Sequence, residues 1–99
     1  MRKIECSKQF NKSWQSFKKS GQKNIQKAKT NLKEILDYLQ NGEGLPDKYY
    51  DHTLKGDKKN YRDCHVLPDL VLIYSIKEDE DGTETIYLAK IGTHSDLYG

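Results

Sequence analysis

The hydrophobic positions of this chain change their period once, near residue 45. Before that point Phe10, Trp14 and Phe17 recur at i, i+4 and i+7, one stripe of a helix that Gly21 ends. The same spacing predicts a second helix after Asn24, with Ile25, Ala28, Leu32, Ile35, Leu36 and Leu39 on one face and its end at "NGEG". The lysines of both helices fall on the opposite faces, so the apolar stripes read as core. Ahead of the helices, "RKIECS" alternates, with Ile4 and Cys6 on one side, and predicts a short first strand.

After the helices, Gly and Pro punctuate "EGLPDKYYDHTLKGDKKN", whose apolar residues hold no period, and it reads as a loop. Three strand patterns follow it. "YRDCHV" alternates, "LVLIYSI" is an apolar run suited to a central strand, and "TIYLAKI" alternates again. The last two flank "KEDEDGTE", a polar hairpin turn containing glycine. The order β-α-α-β-β-β predicts an α+β fold, a mainly antiparallel sheet with a helical hairpin on one face.

Composition sets the scale of this fold. The 99 residues make one domain, 1–99, with a thin core, since 34% of the chain is apolar and 32% charged. No run of about 18 apolar residues is present to span a membrane. The basic start "MRKIECSKQF" lacks the apolar stretch of a secretory signal, which predicts a cytoplasmic protein. Cys6 and Cys64 stand apart with no CxxC spacing and are expected to be reduced, partly buried thiols.

A net charge of +2 hides an asymmetry. Residues 1–33 carry ten Lys/Arg against one acid, and residues 34–99 carry seven against fourteen. A one-sided basic segment is an electrostatic footprint for a polyanion, most often nucleic acid. A solvated lysine-rich helix face explains it equally well.

The three histidines lie outside the apolar stripes. His52 follows Asp51 in the loop, His65 is near the end of a strand, and His94 follows the last strand. Strand ends joined by loops lie close together in an antiparallel sheet, so these side chains are expected to converge with Asp69. The gaps of 13 and 29 residues between the histidines contain no close pair of zinc ligands, which argues against a metal or any other cofactor. Cys64 and His65, being neighbours on a strand, point to opposite faces and cannot pair as nucleophile and base. No GxSxG is present either.

Metal-free RNA cleavage suits these residue types better. The 2′-OH of RNA attacks its own adjacent phosphate when a base takes its proton, an acid protonates the departing 5′ oxygen and a cation stabilises the phosphorane. Histidine does proton transfer near neutral pH, Lys and Arg serve the phosphate, and an aromatic ring holds a base in place.

"LPDKYYDHTLKG", "YRDCHVLPDLVLIYSI" and "IGTHSDLYG" together resemble the YafQ branch of the RelE superfamily, toxins of bacterial type II toxin–antitoxin systems. The match is nearly continuous from Leu45 onward; the helical half fits by pattern. The resemblance implies a microbial-RNase-like α+β fold and an endoribonuclease that cuts messenger RNA, typically in the ribosomal A site. It also implies a cognate antitoxin, a small DinJ- or RelB-like protein through which any DNA contact would be indirect. Carried over by position, it marks His52, His65, Asp69 and His94 as catalytic, together with Tyr98 where that branch commonly has Phe. Tyr for Phe keeps a stacking ring and adds a hydroxyl. Lys55, Lys58, Lys59 and Arg62 are expected phosphate contacts, argued from charge alone. Two other readings stand beside this one. The first is a non-catalytic relative acting on a protein such as a topoisomerase; the second is a small basic protein that binds RNA or the ribosome without chemistry.

Overall fold

The computed structural model describes residues 1–21, 23–58 and 60–99. The elements are β1 (Lys3–Cys6), α1 (Lys8–Lys19), α2 (Ile25–Gln40), β2 (His52–Thr53), β3 (Arg62–Leu67), β4 (Leu70–Glu78), β5 (Glu84–Gly92) and α3 (His94–Tyr98). One sheet has the order β1-β5-β4-β3-β2. β1 runs parallel to β5 and every other pairing is antiparallel. The expected α+β arrangement, with its helical hairpin on one face, is therefore the fold. No helix among the described residues is long and apolar enough to cross a membrane.

The helical stripe and the strand period meet in one core. Phe10, Ala28, Leu32, Ile35 and Leu39 pack against Cys64, Val66, Leu72, Tyr74, Ile86, Leu88 and Ile91. Trp14 and Phe17 stack on each other at its edge, with ring centroids 5.6 Å apart. The Ser7 hydroxyl caps α1 by accepting from the Phe10 amide at 2.9 Å, and Asn31 on α2 donates to the Val66 carbonyl at 2.8 Å. A register shift opposite Ile73 and Tyr74 admits one extra residue in β5. That bulge brings both Leu88 and Ile91 onto the core side.

Three local expectations change. β1 is exposed throughout, so Ile4 and Cys6 do not form a buried face, and Cys6 is an exposed thiol while Cys64 is buried. As an edge strand of four residues, β1 is bonded on one side and gains little cover from the helices. The segment read as a loop holds the two-residue strand β2 and turns of 3-10 helix at Asp47–Tyr49 and Gly56–Lys58. These elements have too few residues to show a period. The chain after β5 winds into α3 because Thr93 and Asp96 form a capping box, the Thr93 hydroxyl accepting from the Asp96 amide at 3.1 Å and Asp96 accepting from the Thr93 amide at 3.0 Å.

Candidate active site

The sheet face away from the helices carries the histidines. Antiparallel register sets His52 of β2 opposite Asp63 of β3, and strand alternation puts Asp63 and His65 on the same side. The β3–β4 turn carries Asp69, and α3 carries His94 and Tyr98 back toward this face. The result is a cluster drawn from three separate parts of the chain. The His65 and His94 rings meet edge to face, with centroids 5.2 Å apart. The Tyr98 ring is 6.3 Å from His94, and Asp69 Oδ1 is 3.4 Å from His94 Nδ1. His94 and Asp69 are both well exposed, so their pairing is loose and open to a ligand.

His52 stands one strand further out. Its Nδ1 is 2.9 Å from the Tyr50 carbonyl. A carbonyl only accepts, so Nδ1 carries the proton and a neutral His52 presents Nε2 as a lone pair. Tyr50 reaches this position through a left-handed backbone, φ 51°. Its ring also lies 5.4 Å from His65.

Asp63 belongs to the cluster although its residue type alone did not mark it. It is 3% exposed, one of its oxygens accepts the Tyr98 hydroxyl, and the other is 3.8 Å from His65 Nε2 with no hydrogen-bond partner among the described residues. Burial first, and then this bond to Asp63, raises the Tyr98 phenol above its usual range. The spacing of Asp63 and His65 by two within an alternating strand was the signal for it. Tyr50 had no comparable signal, because the turn that aims it is set by tertiary contacts.

Arg62 is placed differently from the expected phosphate contact. Its Nη2 donates to Asp51 Oδ2 at 2.9 Å, its Nε lies 3.2 Å from both Asp51 oxygens, and its Nη1 donates to Thr53 at 2.7 Å. Tyr74 donates to the same carboxylate at 2.6 Å. The guanidinium thus fastens the residues on either side of His52. Lys55 and Lys58 are exposed on the same loop; Lys59 lies outside the described residues. Burial holds the Cys64 thiol protonated, well above its ordinary range, which agrees with its place in the core and gives no nucleophile.

The family model for the bacterial toxin of the type II toxin–antitoxin system, YafQ, matches residues 2–99. The chain belongs to the YafQ toxin family. The mRNA interferase toxin YafQ of Escherichia coli K12 is 37% identical over 99 residues, covering 99% of this chain and 97% of that protein. The E. coli DinJ–YafQ complex contains a YafQ-family fold that superposes with a TM-score of 0.79 at 34% identity, covering both chains fully. A metal-bound toxin from Helicobacter pylori reaches a TM-score of 0.79 at 37% identity over 98% of this chain and 99% of its own. Among the described residues of this YafQ-family chain, no group of three or more His, Cys, Asp or Glu side chains is placed to hold a metal ion.

Proposed function

We propose that this toxin is an mRNA interferase: an endoribonuclease that cuts messenger RNA in the ribosomal A site, without a metal, and is held in check in the cytoplasm by a DinJ-like antitoxin. The E. coli relatives, named as an mRNA interferase toxin and as the partner of DinJ, support the activity and the pairing. The observation that carries the chemistry is the meeting of His65 and His94 beside Asp63 and Asp69. His52 and His94 are both exposed proton-transfer groups, as attack by a 2′-OH on its own phosphate requires.

In this reading His52 Nε2 accepts the 2′-OH proton, since its other nitrogen is committed to the Tyr50 carbonyl. His94 exchanges a proton at the 5′ oxygen, with Asp69 orienting its ring through Nδ1. His65 lies between them and stabilises the phosphorane, with Asp63 behind it as a positioning residue. Tyr98 lays an aromatic edge beside the site for a nucleobase. Attack forms a bond from the 2′ oxygen to phosphorus and breaks the bond to the 5′ oxygen. The products are a 2′,3′-cyclic phosphate and a 5′-OH.

The test is His94→Ala on translating ribosomes, with product ends mapped. Loss of a general acid or base costs about 10²–10⁴-fold in rate. A His94→Ala protein that melts normally and cleaves at the wild-type rate would refute the assignment. So would cleavage that EDTA abolishes and zinc restores.

A further inference from the structure

Beyond the histidines the open sheet face continues, and nothing in the cleavage chemistry uses it. Alternation puts Ile73 and Ser75 of β4 on this face, because Leu72 and Tyr74 fill the core. Register sets Asp63 beside Ile73, Ile73 beside Lys90, and Ser75 beside Tyr87. Tyr61, two residues before Asp63, shares its parity. A groove of about 310 Å³ opens here between Tyr61, Tyr87, Ile73, Lys58 and Lys90. The Lys77 ammonium lies 4.2 Å from the Tyr87 ring centroid at its rim. Ser75, 4% exposed, has a hydroxyl without a hydrogen-bond partner among the described residues.

We propose that this groove is a platform for a nucleotide of single-stranded RNA flanking the scissile phosphate, its base against Tyr87 and Tyr61 and its backbone near Lys58 and Lys77. The proposal rests on the nuclease reading above and extends it along the substrate. Stacking on aromatic rings with cations along the backbone is how proteins hold single strands without reading their sequence. Continuity with the histidines supports this occupant. The row Asp63–Ile73–Lys90 crosses two strand spacings, about 10 Å, and joins the two areas without leaving the face.

The probe is a fluorescein-labelled 2′-O-methyl oligoribonucleotide, which binds but has no free 2′-OH to attack. Its affinity is read by anisotropy over a range of salt, with melting of every variant. Tyr87→Ala should weaken binding about 5- to 100-fold, and Tyr87→Phe should bind like wild type. Lys58→Gln should lower the slope of log affinity against log salt by about 0.7. Cleavage of unmodified message is measured separately. A chain that binds the probe through Tyr87 yet cleaves nothing would sink the nuclease reading and leave the platform standing. Natively melting Tyr87→Ala protein with unchanged probe affinity overturns the platform. Loss confined to capture of a partner protein also overturns it, in favour of a protein-docking surface.

Discussion

The Tyr98 hydroxyl donates a hydrogen bond to Asp63 Oδ2, joining two residues 35 apart in the chain. It ties α3 to β3 at the point where His94 meets His65. The hydroxyl is therefore more than a small addition to a stacking ring: it anchors the C-terminal helix over the sheet.

Tyr98→Phe should accordingly lower stability by about 0.5–1.5 kcal/mol and reduce cleavage through a looser α3. The folded chain raises the Tyr98 phenol above its unfolded value of about 10, with burial the larger cause. Stability from this group is thus fully present below the unfolded pKa and is lost as pH rises through the folded one. Melting curves of wild type and Tyr98→Phe should stay a constant distance apart from pH 7 to 9 and converge above 10. A gap that widened with rising pH would show that the hydroxyl is not the donor.

Asp63→Asn keeps an acceptor for Tyr98 but removes the negative charge beside His65. The melting temperature should change little, while single-turnover cleavage falls about 10²-fold, the scale of a misplaced catalytic group. Asp63→Leu, by contrast, leaves the Tyr98 hydroxyl without its partner and should lower both. Equal cleavage by Asp63→Asn and wild type would reduce Asp63 to a packing role.

Arg62→Lys separates positioning from phosphate contact. Lysine keeps the charge and loses the fork that grips Asp51 and Thr53. Expected is a stability loss of about 1–3 kcal/mol and a fall in kcat, as the residues flanking His52 loosen. KM and the salt dependence of binding should stay near wild type. A change confined to KM and to the salt slope would return Arg62 to the phosphate.

Gly92→Ala probes how tightly α3 sits on the sheet. A Cβ there would lie 3.0 Å from Asp96 Cβ, 3.2 Å from Asp96 Oδ2 and 3.5 Å from Leu97 Cδ2. Asp96 closes the capping box with Thr93, so the added methyl displaces the start of the helix that carries His94. Cleavage should drop about tenfold or more with a small change in melting temperature. Wild-type cleavage by this variant would show that α3 tolerates displacement.

Most of the fold was legible along the chain. Phe10, Ala28, Leu32, Ile35 and Leu39 keep the helical period and Cys64, Val66, Leu72 and Leu88 the strand period, because each needs burial on one side of a regular element. The first strand was legible from the alternation of "RKIECS", but its exposed place at the sheet edge was not; β2 and α3 were not legible, since two to five residues display no period and their partners are distant in sequence. Motif resemblance picked out His52, His65, Asp69, His94 and Tyr98 as a set. It did not mark Tyr50, and Arg62 was read from charge alone.

The sequence by itself determined most of the core, the two long helices and the strands β1, β3, β4 and β5, and which family the chain resembles, because those are matters of local period and local motif. The tertiary structure alone decided that a buried Asp63 stands between Tyr98 and His65, that Arg62 grips Asp51, and that His52 Nδ1 lies against the Tyr50 carbonyl. Each of those depends on strand register and on the angle at which a short helix returns. A hydrogen bond is made or lost over less than 1 Å, far finer than any spacing along the chain resolves.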